Sequence, residues 1–279
     1  MHLKINNIFK HTQRSDYKPL FNRFHYLILF SFVVNIFFCS FNDYDKLIKE
    51  ASRHMASQNY EEAKPLLQKA LKIKRSKEVL KDLGTISMLG DYNLEQAKDY
   101  YLKAIYIDEN YINAIHNMGV LFLKYFEITD EKNISEKNLH LKNAKKWFDK
   151  ALSIDNKYYK TYIEYGRYYY YKNNYKEALN ALETSVNISG ENHYAYMLSG
   201  EIYFNGLNDY KKALEKFEKA YLINDSIPQI SYFLFKTYAN LGNKEKAEIH
   251  FNKYIFLLKK IDTSEEIIKR AELEKEKLL

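Results

Sequence analysis

Self-similarity at a fixed period constrains the fold of this 279-residue chain more than any other feature. The segments NYEEAKPLLQKALKI, NLEQAKDYYLKAIYI, HLKNAKKWFDKALSI, NYKEALNALETSVNI, DYKKALEKFEKAYLI and NKEKAEIHFNKYIFL align on one small residue, at Ala63, Ala97, Ala144, Ala178, Ala213 and Ala247. The spacings are 34, 47, 34, 35 and 34, so one supersecondary unit is repeated six times. Four residues after each alanine stands a large apolar residue (Leu67, Tyr101, Phe148, Leu182, Phe217, Phe251), and three further on usually another alanine. Steps of four and three place all of these on one helical stripe.

A second small position lies about twelve residues before each shared alanine, at Ala51, Gly84, Gly119, Gly166 and Gly200, with Phe235 in the last copy. Each unit therefore holds two amphipathic helices. Glycine inside a helix costs about 1 kcal/mol relative to alanine, so its recurrence in phase predicts close approach of a partner helix. Gly90, Gly206 and Gly242 are placed in turns between paired helices, and Gly190 between units. All eight glycines are thereby used in the architecture, leaving none for a phosphate-cradling loop.

These residues resemble the tetratricopeptide repeat (TPR) family, whose pattern is a large residue at position 4, small at 8, Tyr at 11, Ala at 20, aromatic at 24 and Ala at 27. The fourth copy carries it in Tyr162, Gly166, Tyr169, Tyr175, Ala178 and Leu182. The resemblance implies an all-α, right-handed superhelix of about six helix-turn-helix repeats over 44–261. The family's proline at position 32 is replaced by Arg75, Glu109, Asn156, Gly190 and Asp225, and repeats two and five carry one extra turn residue, as Sel1-like repeats often do. Repeat three holds an insertion of thirteen residues near 126–139, polar enough for a surface loop or a lengthening of both helices. Residues 262–279, with a Ser-x-x-Glu capping signal at Ser264, are expected to form the solvating helix that closes such arrays.

The tyrosine-rich run TYIEYGRYYYYKNNYKEAL divides on this phase. Tyr162, Tyr165, Tyr169 and Tyr175 fall where the family packs helix on helix, Tyr170 and Tyr171 where it faces the inner groove, and Tyr168 elsewhere. The resemblance places His116, Lys124, Lys160, Arg167, Tyr170, Tyr171, Tyr194, Met197, Glu201, Phe204, Tyr232 and Lys236 along that groove, the candidate surface for a protein or extended peptide. His116 lies on that groove and could titrate there, although a lone groove histidine is read first as a contact residue. The carboxylate-clamp subset of the family is not matched, because Ile163 and Arg167, and Met197 and Glu201, stand where it needs Lys and Asn. Tyrosine is abundant throughout, 27 residues in all, so its presence in the groove is read against a high background.

Charge and composition narrow the function classes. The net charge is +7, but residues 1–38 carry Lys4, Lys10, Arg14, Lys18 and Arg23 against Asp16 alone, which leaves +3 for the rest. So small a surplus argues against nucleic acid, whose nonspecific affinity comes from neutralising many phosphates. The eight histidines are scattered, no nucleophile–base pair or metal-ligand spacing stands out, and neither an enzyme, a small-molecule substrate, a cofactor nor a metal is expected.

The first 41 residues read as a separate leader: a basic lead, then YLILFSFVVNIFFCSF from Tyr26 to Phe41, shorter than the roughly 20 residues that span a bilayer. Cys39, the only cysteine, ends the apolar run as in a bacterial lipoprotein signal, although bulky Ile36, Phe37 and Phe38 precede it; an uncleaved signal anchor and a cytosolic protein with an odd leader are the alternatives. Basic residues before the apolar run predict a body on the periplasmic side of the cell envelope. The expected role is a non-catalytic, membrane-anchored interaction scaffold. Its alternatives are an envelope-assembly adaptor in outer-membrane protein biogenesis and a cytoplasm-facing regulator.

Overall fold

In the computed structural model, residues 43–261 and 263–279 are described. The leader, with Cys39 and its expected lipidation and membrane insertion, lies outside them. The described residues form thirteen α-helices and no strand. They are α1 (43–56), α2 (Tyr60–Ile73), α3 (Lys77–Leu89), α4 (Leu94–Ile107), α5 (Ile112–Ile128), α6 (Ile134–Ile154) and α7 (Tyr159–Tyr171). There follow α8 (Tyr175–Ser189), α9 (His193–Glu201) with a π-helical turn over Ile202–Gly206, α10 (Tyr210–Ile223), α11 (Pro228–Asn240), α12 (Lys244–Lys260) and α13 (Glu265–Leu278). Consecutive helices pair two by two into six hairpins that stack side by side, and α13 closes the stack against α11 and α12. None of the described helices is long and apolar enough to cross a membrane.

The pairing rests on the small residues. A Cβ built on Gly84 would lie 2.5 Å from the Tyr101 ring, on Gly119 2.3 Å from Phe148, on Gly166 2.6 Å from Leu182, and on Gly200 2.5 Å from Phe217. Each glycine in the first helix of a hairpin therefore makes room for the large residue of the second. Tyr101, Phe148, Leu182 and Phe217 are fully buried as a result, which stabilises each hairpin by about 2–3 kcal/mol for the one side chain. In the last copy Phe235 replaces the small residue, and its ring meets Phe251 at 5.1 Å instead.

Five of the six hairpin turns share one design. A residue with positive φ precedes the cap of the second helix: Gln58, Tyr92, Asn173, Asn208 and Gly242. The caps are Asn59, Asn93, Asn174, Asp209 and Asn243, and three of their side chains accept a backbone N–H, from Gln96, Lys212 and Lys246. In three turns the cap N–H donates five residues back, Asn59 to His54, Asn174 to Tyr169 and Asn243 to Tyr238. In repeats two and five it donates six residues back, Asn93 to Ser87 (2.7 Å) and Asp209 to Tyr203 (2.8 Å). The extra residue is thus absorbed by a wider final turn, which in repeat five is the π-helical segment. Gly90 and Gly206 sit in these wider turns for a reason the sequence did not supply. Neither has positive φ; a Cβ on Gly90 would meet Tyr60 at 2.8 Å, and one on Gly206 would meet Tyr175 at 2.7 Å.

The insertion of repeat three lengthens both helices of its hairpin, so that α5 runs 17 residues and α6 21. Lys137, near the start of α6, is buried over the Phe126 ring at 4.5 Å while its Nζ reaches Glu131 at 2.6 Å. The added length carries Glu127 out to α7.

Candidate functional site

The first helices of successive hairpins line one face of the stack. There α5, α7 and α9 enclose an open cavity of about 600 Å3. Eight of the twelve groove residues expected from the sequence line it: His116, Lys160, Arg167, Tyr170, Tyr171, Tyr194, Met197 and Glu201. Tyr159, Ile163, Glu164, Asn192 and Leu198 complete the wall.

The remaining four lie elsewhere. Lys124 does not line the cavity and pairs with Glu127 at 2.6 Å. Phe204 is only 8% exposed and packs in the core against Tyr210 and Phe233. Tyr232 and Lys236 of α11 are engaged by the closing helix: the Tyr232 hydroxyl donates to Glu274 at 2.9 Å, and Lys236 pairs with the same carboxylate at 3.2 Å. The groove is therefore covered at its C-terminal end by α13. The tyrosine run also needs one correction. Tyr168 is buried among Leu123, Leu141, Ala144, Phe148 and Tyr165, so it belongs with the packing set.

Arg167 organises the cavity floor. Its guanidinium pairs with Glu127 and, at 2.8 Å, with Glu164, while the Tyr171 hydroxyl donates to Glu127. Burial pulls the Arg167 pKa down, but Glu164, Tyr171 and Glu127 outweigh it and hold the guanidinium firmly charged. Burial pushes the Glu127 carboxyl up, and Lys124, Tyr171 and Arg167 more than reverse it, keeping it below the usual range. The Phe126 and Tyr171 rings meet at 4.7 Å and close the network from the side.

Glu201 differs. Burial pushes its carboxyl up to about 7 against the opposing pull of Arg167. His116 lines the cavity without titrating near neutrality. It is 7% exposed, its Nδ1 lies 3.0 Å from the Thr161 hydroxyl, and its ring meets Tyr158 edge-on at 5.4 Å. Burial, helped by Lys160, lowers its pKa to about 3, so it remains neutral at physiological pH.

Comparison with known proteins decides what the repeats are. Residues 165–229 match one tetratricopeptide repeat family model, and residues 51–77 and 93–111 match another. Over these residues the chain carries tetratricopeptide repeats. Among solved structures it resembles a thermophilic TPR protein of Thermus thermophilus, with a TM-score of 0.62 at 14% identity over 68% of this chain and 95% of that one. It also resembles pilF of Pseudomonas aeruginosa, with a TM-score of 0.55 at 15% identity over 80% of this chain and 93% of that one. At such identities the likeness is one of fold. No curated protein matches the sequence.

In this array the residue most readily missed from sequence is Glu127. It belongs to the insertion, outside the repeat phase, yet it bridges α5 to α7 through Arg167. The only signal for it was the acidic residue in a segment that lengthens a groove-lining helix. Glu164 escaped because position 6 of a repeat is not one from which the family reads the groove, although the Arg167 pair brings its carboxylate to the wall. Among the described residues no group of three His, Cys, Asp or Glu side chains is placed to hold a metal ion.

Proposed function

We propose that the array is a non-catalytic interaction scaffold whose concave cavity between α5, α7 and α9 binds an extended segment of a partner protein. The observation that carries this reading is the convergence of Tyr159, Tyr170, Tyr171 and Tyr194 with Ile163 and Met197 on one open cavity. Tyr194 is 54% exposed there. Tyrosines of this kind offer large contact area at small entropic cost and keep a polar tip, the properties that concentrate binding energy. TPR-type repeats fit such a role, because stacked hairpins build a long surface in which no single repeat needs to be complete.

The leader adds where this happens. A basic lead, an apolar run and Cys39 at its end support tethering to a bacterial envelope membrane with the array on the periplasmic side. Protease treatment of spheroplasts tests this directly: digestion of the array is expected, and full protection would overturn the placement. For the cavity, the double substitution Tyr170→Ala with Tyr194→Ala is expected to abolish photocrosslinking of a partner from position 197 in intact cells while leaving the far-ultraviolet CD spectrum unchanged. Persistent crosslinking in the double variant would refute the cavity as the docking surface.

A further inference from the structure

The cavity contains one acidic group, Glu201, that feels Arg167 only at a distance and has no ion-pair partner of its own among the described residues. Arg167 is divided between Glu127 and Glu164, and Lys124 is spent on Glu127. Glu201 lines the same cavity half-buried, and among the described residues its carboxylate joins no ion pair and no hydrogen bond. A carboxylate drawn away from water without a partner is costly, and an incoming cation relieves that cost. Around it stand Tyr170, Tyr194 and Met197; aromatic rings and a polarizable thioether suit the charged head and alkyl stem of a long basic side chain.

The opposite end of the cavity carries the opposite sign. Lys160, exposed and in no ion pair among the described residues, precedes Arg167 by seven positions, about 10 Å along α7. A basic ligand group is repelled there and directed to Glu201. The occupied guanidinium of Arg167 leaves little for an acidic ligand to capture at the Glu201 end. Building on the scaffold reading above, we infer that the cavity takes a lysine or arginine side chain from the partner's extended segment, with its charged head at the Glu201 carboxylate and its stem along Tyr170, Tyr194 and Met197.

The test uses the full chain in mild detergent and the pentapeptide acetyl-Gly-Ala-Lys-Ala-Gly-amide, with arginine, norleucine or glutamate replacing lysine in parallel samples. Binding is read from the 13C-methyl resonance of Met197. The lysine and arginine peptides are expected to shift this resonance saturably, with affinity about tenfold above that of norleucine. Glu201→Gln is expected to erase that preference and Glu201→Asp to retain part of it, both with an unchanged CD spectrum. Equal binding of norleucine, preferential binding of glutamate, or no shift with any peptide each overturns the inference. A partner that crosslinks to the cavity but shows no preference for the cation leaves the scaffold reading standing and removes this inference alone.

Discussion

At Gly119 a Cβ would fall 2.3 Å from the Phe148 ring, which is fully buried between α5, α6 and α7 and has nowhere to turn. Gly119→Ala gains about 1 kcal/mol of helix propensity but forces an over-packed aromatic, at a cost of about 1–3 kcal/mol. A net loss is expected. At Gly166 the clash is with the branched end of Leu182, which can change rotamer, so Gly166→Ala should lie closer to neutral. Thermal unfolding of the two variants measures the order; a larger fall for Gly166→Ala would contradict this account of the packing. Glu201 offers a second prediction. Its carboxyl titrates near 7 in the fold, against an ordinary value of 4.5. The native state therefore holds more protons between these pH values, and stability falls as pH rises through that window. Glu201→Gln should remove this penalty, raising stability relative to the parent at pH 8 by up to about 3 kcal/mol and leaving it unchanged at pH 4. Comparing the two chains at each pH isolates the effect from His116, whose depressed pKa works the other way below its ordinary value of 6.5.

The elements were legible to the extent that they repeat. Ala63, Ala97, Ala144, Ala178, Ala213 and Ala247 fix the second helices by phase alone, and all six are fully buried. What phase did not convey was how a turn absorbs one more residue. Gly90 and Gly206 look like turn breakers in sequence, whereas they yield space to Tyr60 and Tyr175, the tyrosines that open α2 and α8. The site was legible in the same partial way. Arg167 and Tyr171 are on phase, while their partner Glu127 is off it, and no periodic argument finds a residue in an insertion. His116 is on phase and lines the cavity, whereas its burial against Tyr158 and Thr161 of the next repeat carries no periodic signal. The turns supply their own prediction. Tyr92 adopts φ +53° where repeats four and five place Asn173 and Asn208, and its ring is 84% exposed. A bulky side chain is strained in that region and asparagine tolerates it. Tyr92→Asn should raise stability by about 0.5–1 kcal/mol, seen as a higher urea midpoint at unchanged slope.

The whole molecule is a chain of neighbours, and its ends are where that arrangement is vulnerable. Each hairpin meets chiefly the one before and the one after, so stability is a sum of local terms and unfolding can begin at a terminus. The C-terminal end is protected by α13. Ala271 is buried against the last hairpin, Glu274 holds Tyr232 and Lys236, Lys275 lies over the Phe251 ring at 5.1 Å and pairs with Glu248 at 2.8 Å, and Lys244 donates to the carbonyl of Leu279. Deleting residues 263–279 uncovers Phe251, Tyr232 and the apolar side of α12 together. Hydrogen exchange should then accelerate by about tenfold or more in α11 and α12, because local opening there loses its outer packing. Helices α3 to α6 touch none of these residues and should exchange as before. The same deletion frees Tyr232 and Lys236 to extend the concave surface beyond the cavity, so the truncated array should also self-associate through its bared end, detectable as a concentration-dependent shift in sedimentation. Uniform acceleration across all twelve remaining helices would mean that the array unfolds as one cooperative body, and the additive picture of its stability would have to be abandoned.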